Sequence, residues 1–488
     1  MQYSMKNKRD MGKLVSFNKQ AGISTLLFIV LVGLSLTVLT VGYMSSMRNL
    51  QSSAITAHAQ TQAQMKAMMG YHALSEFVLN QPQGYLNKIT SGDIRNGSTI
   101  TSSYVKSSSC PASTVLSEVH YCFDITGQSG GASAIIRAMY AYQKQIQQNT
   151  VAGTIFAGGL VVGGNAKFVG ETGEDVTIFV GGTNAGKVVD TSGKTVTLTG
   201  ITVQAYTNPI EVADATTLKN HANYLFTKNS AGSMECYKNN LHISGTAITT
   251  PIKITCPTGI SFETGTWSFN SSAANLAGIV WFEGNVIIQL QKTPSDMVNT
   301  VLATGSVTTD LGKGNTEGTY NAYAPMHYLL MANDSNIKTR LNKVCPVDNY
   351  PVQYCQSYDA TERALITSME YFKTNKDKFL KNANLFPANL SNILFLTDTE
   401  FAIDAANKTT INLYGNIVGT KGAGGTGKAS GKITGTGDIN VKGNLVVTGD
   451  LTTEVQGNMT VTLGRSNTDG NNIPVLIYST KSKSIRYM

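Results

Sequence analysis

An uncharged stretch near the N-terminus is the feature that most constrains how this chain folds. Residues 23–44 (ISTLLFIVLVGLSLTVLTVGYM) carry no charge, and the uncharged window runs from Gln20 to Met47. A helix of about 20 apolar residues crosses the hydrocarbon core of a bilayer. Ahead of the stretch basic side chains outnumber acidic ones by five to one, whereas only Arg48 follows it closely. Because positive charge stays on the cytoplasmic side, we expect a single-pass anchor with a cytoplasmic N-terminus.

A cleaved secretory signal is the alternative interpretation of this stretch. Such a signal needs a shorter apolar region and a small-x-small cleavage site directly after it. The stretch ends instead in GYMSSMRNL, which is a poor site. An uncleaved membrane helix is therefore favoured.

The helical pattern continues beyond the apolar stretch. Residues 51–80 are rich in Ala, Gln and Met, which are good helix formers, and contain no Pro. A stripe at helical spacing indicates packing rather than metal binding, and it consists of Met65, Met68, Met69, His72, Ala73 and Phe77. The sequence predicts one helix from Ile23 to about Asn80, ~85 Å long at about 1.5 Å per residue.

The junction at the start of this helix is more specific. Lys19-Gln20-Ala21-Gly22-Ile23 places a basic leader that ends in glycine directly before the apolar helix. It resembles the type IV prepilins, whose leader a prepilin peptidase removes directly after the glycine. The resemblance implies that residues 1–22 are removed and that the apolar helix, from Ile23 through Leu27 to Met44, stays in the mature protein. Ile23 stands where phenylalanine is usual, and Leu27 takes the fifth mature position, where major pilins carry glutamate. An ordinary signal anchor with a chance glycine is the alternative.

A predicted hairpin extends the resemblance. Residues 120–146 contain two strands rich in β-branched and aromatic residues, separated by a glycine turn. A similar hairpin follows the helix in minor pilins of the PilX type, so the resemblance covers roughly residues 13–150. The turn includes Gly127-Gln128-Ser129-Gly130-Gly131, which matches G-x-S-x-G. A nucleophile elbow needs a strand-to-helix turn, so a hairpin turn is favoured here.

From Val151 onward the sequence is typical of short, stacked strands. Val, Ile, Thr and Leu runs alternate with Gly-Asn and Gly-Asp, most regularly at Gly437-Asp438, Gly443-Asn444 and Gly449-Asp450, which are six residues apart. Glycine and asparagine tolerate the positive φ of tight corners. This spacing favours a β-solenoid, while a β-sandwich with ordinary hairpins is the alternative.

The predicted fold class is α+β, with a long N-terminal membrane helix, a small pilin-like region and a large all-β head carrying helical insertions. The predicted segments are a leader (1–22), a stem helix (23–80), a pilin-like β region (81–150), a first solenoid part (151–290), an irregular insertion (291–400) with a helix at 359–381, and a second solenoid part (401–488). A second helix is predicted at 214–226, and residues 419–437 are predicted to form a flexible loop because they are rich in Gly, Thr and Lys.

The six cysteines fall into three sequence-local pairs. They are Cys110, Cys122, Cys236, Cys256, Cys345 and Cys355. Six cysteines allow fifteen connectivities, and the grouping favours 110–122, 236–256 and 345–355. An even count beyond a membrane anchor fits an oxidising compartment. A metal site is disfavoured, since there is no C-x-x-C and no paired histidine.

Two further motifs imitate functional loops. Residues 422–429 resemble a phosphate-binding loop, but Ala429 stands where Ser or Thr must ligate Mg²⁺. Residues 467–472 (NTDGNN) offer oxygen ligands for Ca²⁺ but lack a later bidentate acid, so a turn is favoured. We expect no cofactor and no enzymatic activity.

The expected function follows from the anchor and the large head. The net charge is +8, and about half of it lies in the leader, which argues against nucleic-acid binding. The resemblance implies a minor pilin-like subunit of a type IV pilus or related filament, acting in initiation, at the tip or in adhesion. Its expected partners are other pilins, pilus assembly components, the prepilin peptidase and the bacterial inner membrane, with a surface or glycan ligand possible for the head. It would be extracellular once assembled. A static envelope scaffold and a polysaccharide-acting enzyme are the alternatives.

Overall fold

The computed structural model of the protein describes residues 21–79, 85–113, 118–239, 241, 250–311, 317–331, 336–381, 388–406, 408–420, 430–464 and 472–488. Residues 1–20 of the predicted leader, the phosphate-loop-like segment 422–429 and most of the predicted turn at 467–472 lie outside these ranges. The chain divides into two compact units. The first comprises Met1–Gln143 with Tyr478–Met488, and the second comprises Lys144–Ile477.

The helices of the described ranges are α1 (Ala21–Leu79), α2 (Tyr85–Lys88), α3 (Ala215–Leu218), α4 (Ser271–Ala274), α5 (Pro325–Met331), α6 (Ile337–Val344), α7 (Ala360–Ala364), α8 (Met369–Thr374) and α9 (Lys376–Phe379). The strands up to residue 290 are β1 (Ser91–Asn96), β2 (Thr99–Lys106), β3 (Glu118–Ser129), β4 (Ala132–Thr150), β5 (Thr154–Phe156), β6 (Leu160–Gly164), β7 (Lys167–Gly170), β8 (Val176–Val180), β9 (Ile201–Ala205), β10 (Tyr224–Lys228), β11 (Met234–Lys238), β12 (Ile252–Ile254), β13 (Ile260–Glu263), β14 (Thr266–Phe269), β15 (Ile279–Phe282) and β16 (Asn285–Gln289). The later strands are β17 (Met297–Val298), β18 (Thr300–Ala303), β19 (Val307–Asp310), β20 (Gly318–Tyr323), β21 (Ile393–Thr397), β22 (Glu400–Ala405), β23 (Thr409–Tyr414), β24 (Asn416–Gly419), β25 (Ser430–Gly435), β26 (Asp438–Lys442), β27 (Leu445–Val447), β28 (Thr453–Gly457), β29 (Thr460–Gly464) and β30 (Asn472–Tyr487).

The first unit joins the long helix α1 to a five-stranded sheet in the order β1-β2-β3-β4-β30. The predicted stem helix is confirmed, since α1 has 59 residues without a break. The predicted hairpin is also confirmed: β3 and β4 pair in continuous antiparallel register from Glu118 opposite Gln143 to Ser129 opposite Ala132. Gly130 and Gly131 form its turn with positive φ. The G-x-S-x-G motif is therefore a hairpin corner.

The second half of α1 packs on this sheet through small residues. Ala63 and Ala67 are fully buried, and a Cβ on the facing Gly127 would lie 2.2 Å from the Ala63 carbonyl oxygen. Of the stripe predicted to pack, Met68 contacts this core, whereas Met65, Met69 and Phe77 remain exposed. Alanine opposite glycine lets the helix backbone approach the strand more closely than a methionine side chain would allow.

The second unit is a β-solenoid, as the spacing predicted. Its three largely parallel sheets have the orders β12-β11-β10-β15-β18-β21-β24-β27-β5-β8-β9, β13-β14-β16-β19-β22-β25-β28-β6 and β17-β20-β23-β26-β29-β7. A coil contributes one strand to each sheet, as β27, β28 and β29 do. Apolar residues stack in register from coil to coil, for example Ile433 on Val455 on Val162. These ladders form the buried core that a single coil could not enclose.

Glycines occupy the corners where coils stack most closely. Gly435, Gly457 and Gly164 lie one above another, all with positive φ. A Cβ on Gly457 would lie 2.1 Å from the Gly435 carbonyl oxygen. The Gly-Asn corners of the sequence thus reflect both the required φ and the backbone contact between coils.

The coils do not stack in chain order. β5, β6 and β7 pair with β27, β28 and β29 of the last coil, while β8 and β9 extend the stack beyond them. Residues 206–223 then connect β9 to β10, which lies near the opposite end of the 11-stranded sheet. From there the coils wind back until β27 meets β5.

The outer face of the 11-stranded sheet is covered as well. Its outward-facing row is buried and comprises Trp281, Leu302, Leu396, Val418 and Val446. α3 contacts this face, and the Trp281 Nε1–H donates to the Ala215 carbonyl oxygen at 2.7 Å. An isolated antiparallel bridge also pairs Val212, just before α3, with Val475 of β30.

Several predicted boundaries differ from the structure. The helix predicted at 359–381 is divided into α7, α8 and α9, because Ser368 caps a new helix by accepting a hydrogen bond from the Tyr371 amide. The helix predicted at 214–226 ends at Leu218, and its apolar end instead forms the buried strand β10. The loop predicted at 419–437 contains β25.

Two of the predicted segments have different bounds in the structure, because some of their residues pair with strands that are distant in sequence. The predicted insertion 291–400 contains strands β17 to β21 of the solenoid, so the helical insertion is shorter and begins with α5. Residues 478–488, predicted to belong to the second solenoid part, lie in the first unit, where β30 pairs beside β4.

Candidate functional site

The predicted processing residues lie at the beginning of α1. The helix starts at Ala21, so Gly22 and Ile23 are in its first turn. The Gly22–Ile23 peptide bond thus lies within the described helix.

The first half of α1 presents an apolar surface to its surroundings. Leu27 is 64% exposed and Met44 is 62% exposed, as are other large apolar side chains from Leu26 to Leu50. An 18-residue window of the helix has a mean hydropathy of 2.4, and the helix is long enough to cross a membrane. Burial of this surface in lipid or against other helices is strongly favourable.

Three of the hydroxyl groups on this surface hydrogen-bond within the helix. Ser35 Oγ donates to the Val32 carbonyl oxygen at 2.9 Å, and Thr37 Oγ1 donates to the Gly33 carbonyl oxygen at 2.9 Å. Thr40 Oγ1 donates in the same way to the Leu36 carbonyl oxygen. Because these polar groups need no water, the surface suits both a bilayer and a helix–helix interface.

A charged cluster fixes one region of the sheet in the first unit. Glu118 Oε1 accepts hydrogen bonds from Lys483 Nζ at 3.0 Å and from His120 Nε2 at 2.6 Å. These partners hold the pKa of Glu118 below its usual range. His120 Nδ1 lies 2.9 Å from the Pro111 carbonyl oxygen, so the cluster links β3, β30 and the segment before β3. Its function is structural cross-linking of the sheet.

The three predicted cysteine pairs are the disulfides of the structure. They are Cys110–Cys122, Cys236–Cys256 and Cys345–Cys355, with Cα–Cα distances of 5.3, 5.2 and 5.8 Å. Within the described ranges no group of three His, Cys, Asp or Glu side chains could hold a metal ion.

The sequence analysis missed one buried acid in the second unit. Asp398 is 5% exposed, and its Oδ1 accepts hydrogen bonds from the Ala215 amide and from Thr420 Oγ1, both at 2.8 Å. Burial, with a smaller contribution from the nearby Asp214, raises the pKa of Asp398 to about 6. No local signal identifies it, because the partners are separated from it by up to 183 residues. Its contacts tie α3 to the outer face of the 11-stranded sheet.

The comparisons with known proteins provide little further information. The sequence matches no protein-family model and no curated protein. Among solved structures it aligns with the crystal structure of the competence-associated pilin ComZ from Thermus thermophilus, at 9% sequence identity and a TM-score of 0.26, covering 88% of this chain and 97% of that chain. At this TM-score the likeness carries no information on function.

Proposed function

We propose that this chain is a pilin-like subunit of a type IV pilus or a related filament, processed after Gly22 and assembled through α1. The observation that supports the proposal is the difference in exposure between the two halves of α1. Large apolar side chains stay exposed along its first half, whereas its second half packs on an antiparallel sheet. A basic leader that ends in Gly22 directly precedes this helix. The same apolar surface would serve as the inner-membrane anchor before assembly and as the filament core afterwards.

The proposed role is that of a minor subunit at the tip, in initiation or adhesion, and it is structural rather than catalytic. In the prepilins that the leader resembles, a glutamate at the fifth mature position neutralises the terminal ammonium of a neighbouring subunit. Leu27 cannot supply this partner, and a buried unpaired charge costs several kcal/mol. The distal tip is the position without such a neighbour. We therefore expect a few copies per filament, located at the end.

Processing is tested by mass spectrometry of the mature N-terminus in cells that contain a prepilin peptidase. The wild-type protein should begin at Ile23, and Gly22→Val should leave the full-length chain in the membrane, because a side chain beside the scissile bond obstructs the peptidase. Gly33→Val is the matched control: a Cβ at Gly33 meets open space within the same helix, so cleavage should be normal. A wild-type protein that still begins at Met1 would favour a static envelope scaffold instead.

Location is tested by immunogold labelling of the second unit on sheared filaments. Single distal labels are expected from the tip assignment. Regular labelling along the shaft would contradict it, while leaving the processing result unaffected.

A further inference from the structure

A polar cleft lies between the solenoid and its helical insertion, entirely within the second unit. Parts of residues 271–277 and 294–298 form its solenoid wall, and parts of residues 342–349 form the opposite wall. Its volume is about 590 Å³. A smaller cavity of about 220 Å³ continues from it, sharing Asp348 and Asn349. We call the two together the insertion cleft. The larger part falls within the ~300–1,000 Å³ of small-molecule sites.

The insertion wall is held rigidly. The Cys345–Cys355 disulfide closes the loop that carries residues 346–349. The Arg363 side chain is buried, and its Nη1 donates to the Cys345 carbonyl oxygen at 2.9 Å and to Asn342 Oδ1 at 2.8 Å. A wall fixed in this way lowers the conformational entropy lost when a ligand binds.

Two charged groups in the cleft keep unused hydrogen-bonding capacity. Asp296 Oδ1 accepts from Asn321 Nδ2 at 3.1 Å, while no residue in the described ranges donates to its other carboxylate oxygen. Burial raises the pKa of Asp296. Lys343 Nζ donates to the main-chain oxygen of Asp296 at 2.9 Å, which leaves it further N–H groups. The cleft thus places a strong acceptor and a strong donor side by side.

The smaller cavity adds amide and aromatic groups. Asn239 lines it and is 5% exposed; its Nδ2 donates to the Ala222 carbonyl oxygen at 2.7 Å, but its buried Oδ1 receives no hydrogen bond from a described residue. Such a buried acceptor has capacity for a further donor. Tyr350, which is half-buried, contributes aromatic surface beside it, whereas Tyr224 is buried in the solenoid core.

The lining matches a neutral polyhydroxyl compound better than an ion. Asp296 and Asp348 are balanced by Lys343 and Lys238, so a charged ligand gains no net attraction. Each sugar hydroxyl both donates and accepts, so neighbouring hydroxyls fit an adjacent carboxylate and ammonium. The aromatic surface suits the apolar C–H face of a sugar ring.

We propose that the insertion cleft binds a neutral saccharide, with its hydroxyls donating to Asp296 and accepting from Lys343. This site goes beyond the filament role, and it does not require cleavage at Gly22. If the protein binds the saccharide but keeps its leader, this proposal stands and the filament assignment fails.

The test uses the full-length protein in lipid nanodiscs, since maltoside detergents are themselves saccharides. Saturation-transfer-difference NMR is recorded with maltotriose, cellotriose, lactose and N,N′-diacetylchitobiose, and with trigalacturonate and inorganic phosphate as anionic probes. At least one neutral probe should bind. Binding of the anionic probes alone, or of no probe, would overturn the proposal.

Two substitutions in the cleft test whether the saccharide binds there or elsewhere on the protein. Asp296→Asn and Lys343→Met should each weaken binding about tenfold, since each removes a charge-assisted hydrogen bond. Lys338→Met, on the exposed side of the same helix, and Asp404→Asn, exposed on β22, are the matched controls and should bind as wild type does. Unchanged affinity in both cleft variants would contradict the assignment.

Hydrogen exchange provides a readout that does not depend on the variants. Addition of the bound saccharide to the wild-type protein should slow exchange of the amides of residues 342–349. Protection confined to other parts of the chain would place the site elsewhere and overturn the proposal.

Discussion

Replacing Asp398 by asparagine should make the second unit less sensitive to rising pH. Asp398 is buried at the end of β21, where its Oδ1 accepts hydrogen bonds from the Ala215 amide and Thr420 Oγ1. Burial is the main cause that raises its pKa from 3.8 to about 6. An asparagine keeps the Oδ1 acceptor but carries no charge at any pH.

The size and sign of the effect follow from the difference between the folded and unfolded pKa. Because the folded pKa of Asp398 is raised, its protonated form stabilises the fold below pH 4, and this contribution is lost as the pH rises through about 6. A rise of about two pKa units at about 1.4 kcal/mol each amounts to about 3 kcal/mol. At pH 4 the unfolded carboxyl is already about half ionised, so part of this difference has been lost. The free energy of unfolding of Asp398→Asn, relative to wild type, should therefore be about 2–3 kcal/mol higher at pH 7.5 than at pH 4.

Tryptophan fluorescence reports this unit selectively. The chain has two tryptophans, Trp267 and Trp281, and both are buried in the solenoid. Denaturant titrations of the full-length protein at pH 4 and pH 7.5 give the two free energies. Burial lowers the pKa of His327 to about 4, which destabilises the fold as the pH falls, but this contribution cancels between wild type and variant.

Asp404→Asn is the control for this experiment, since Asp404 is exposed on β22. It should leave the pH dependence as in wild type. Parallel pH profiles for wild type and Asp398→Asn would refute the assignment of a raised pKa to this carboxyl.

Three further substitutions test the packing. Gly127→Ala places a Cβ 2.2 Å from the Ala63 carbonyl oxygen, so it should separate α1 from β3 and speed hydrogen exchange of the β3 amides; unchanged exchange would contradict the close approach. Gly457→Ala should lower the free energy of unfolding of the second unit by about 2–4 kcal/mol in the fluorescence assay, because its φ is positive and its Cβ meets backbone of the next coil. Replacing Cys345 and Cys355 together by alanine should cost about 2–4 kcal/mol in the same assay, and a loss near zero would show that the loop is held without the disulfide.

Features with a local signal were predictable from the sequence. The stem helix follows from a long run of helix formers without proline, and α1 is helical over the predicted span up to Leu79, the last residue described there. The disulfides follow from cysteines that are close in sequence. The solenoid was indicated by short apolar runs between repeated Gly-Asn and Gly-Asp corners, and Gly443 and Gly457 at such corners have positive φ.

Features that depend on distant pairing were not predictable in this way. Nothing near β5 indicates that it pairs with β27, because about 290 residues of chain separate them. The close approach of α1 to the sheet was not predicted, because it depends on Gly127 of β3, which faces Ala63 and Ala67 across more than 50 residues of chain. The insertion cleft combines five separate segments, which lie within residues 223–224, 238–241, 271–277, 294–298 and 342–352, so its polar groups form no motif in the sequence. Cleavage at Gly22 stays a prediction.

The order of the coils has a consequence for how the protein is made. A chain that emerges N-terminus first releases β5 to β9 early, but the partner of β5 is β27, which emerges about 290 residues later. Until then the coil formed by β5, β6 and β7 has one open edge, and closing so long a loop slows folding. Synthesis cannot build this stack one coil after another from a single end. The stack is completed only when residues 445–464 are free to pair, so almost the whole second unit must be released before its first coil is enclosed.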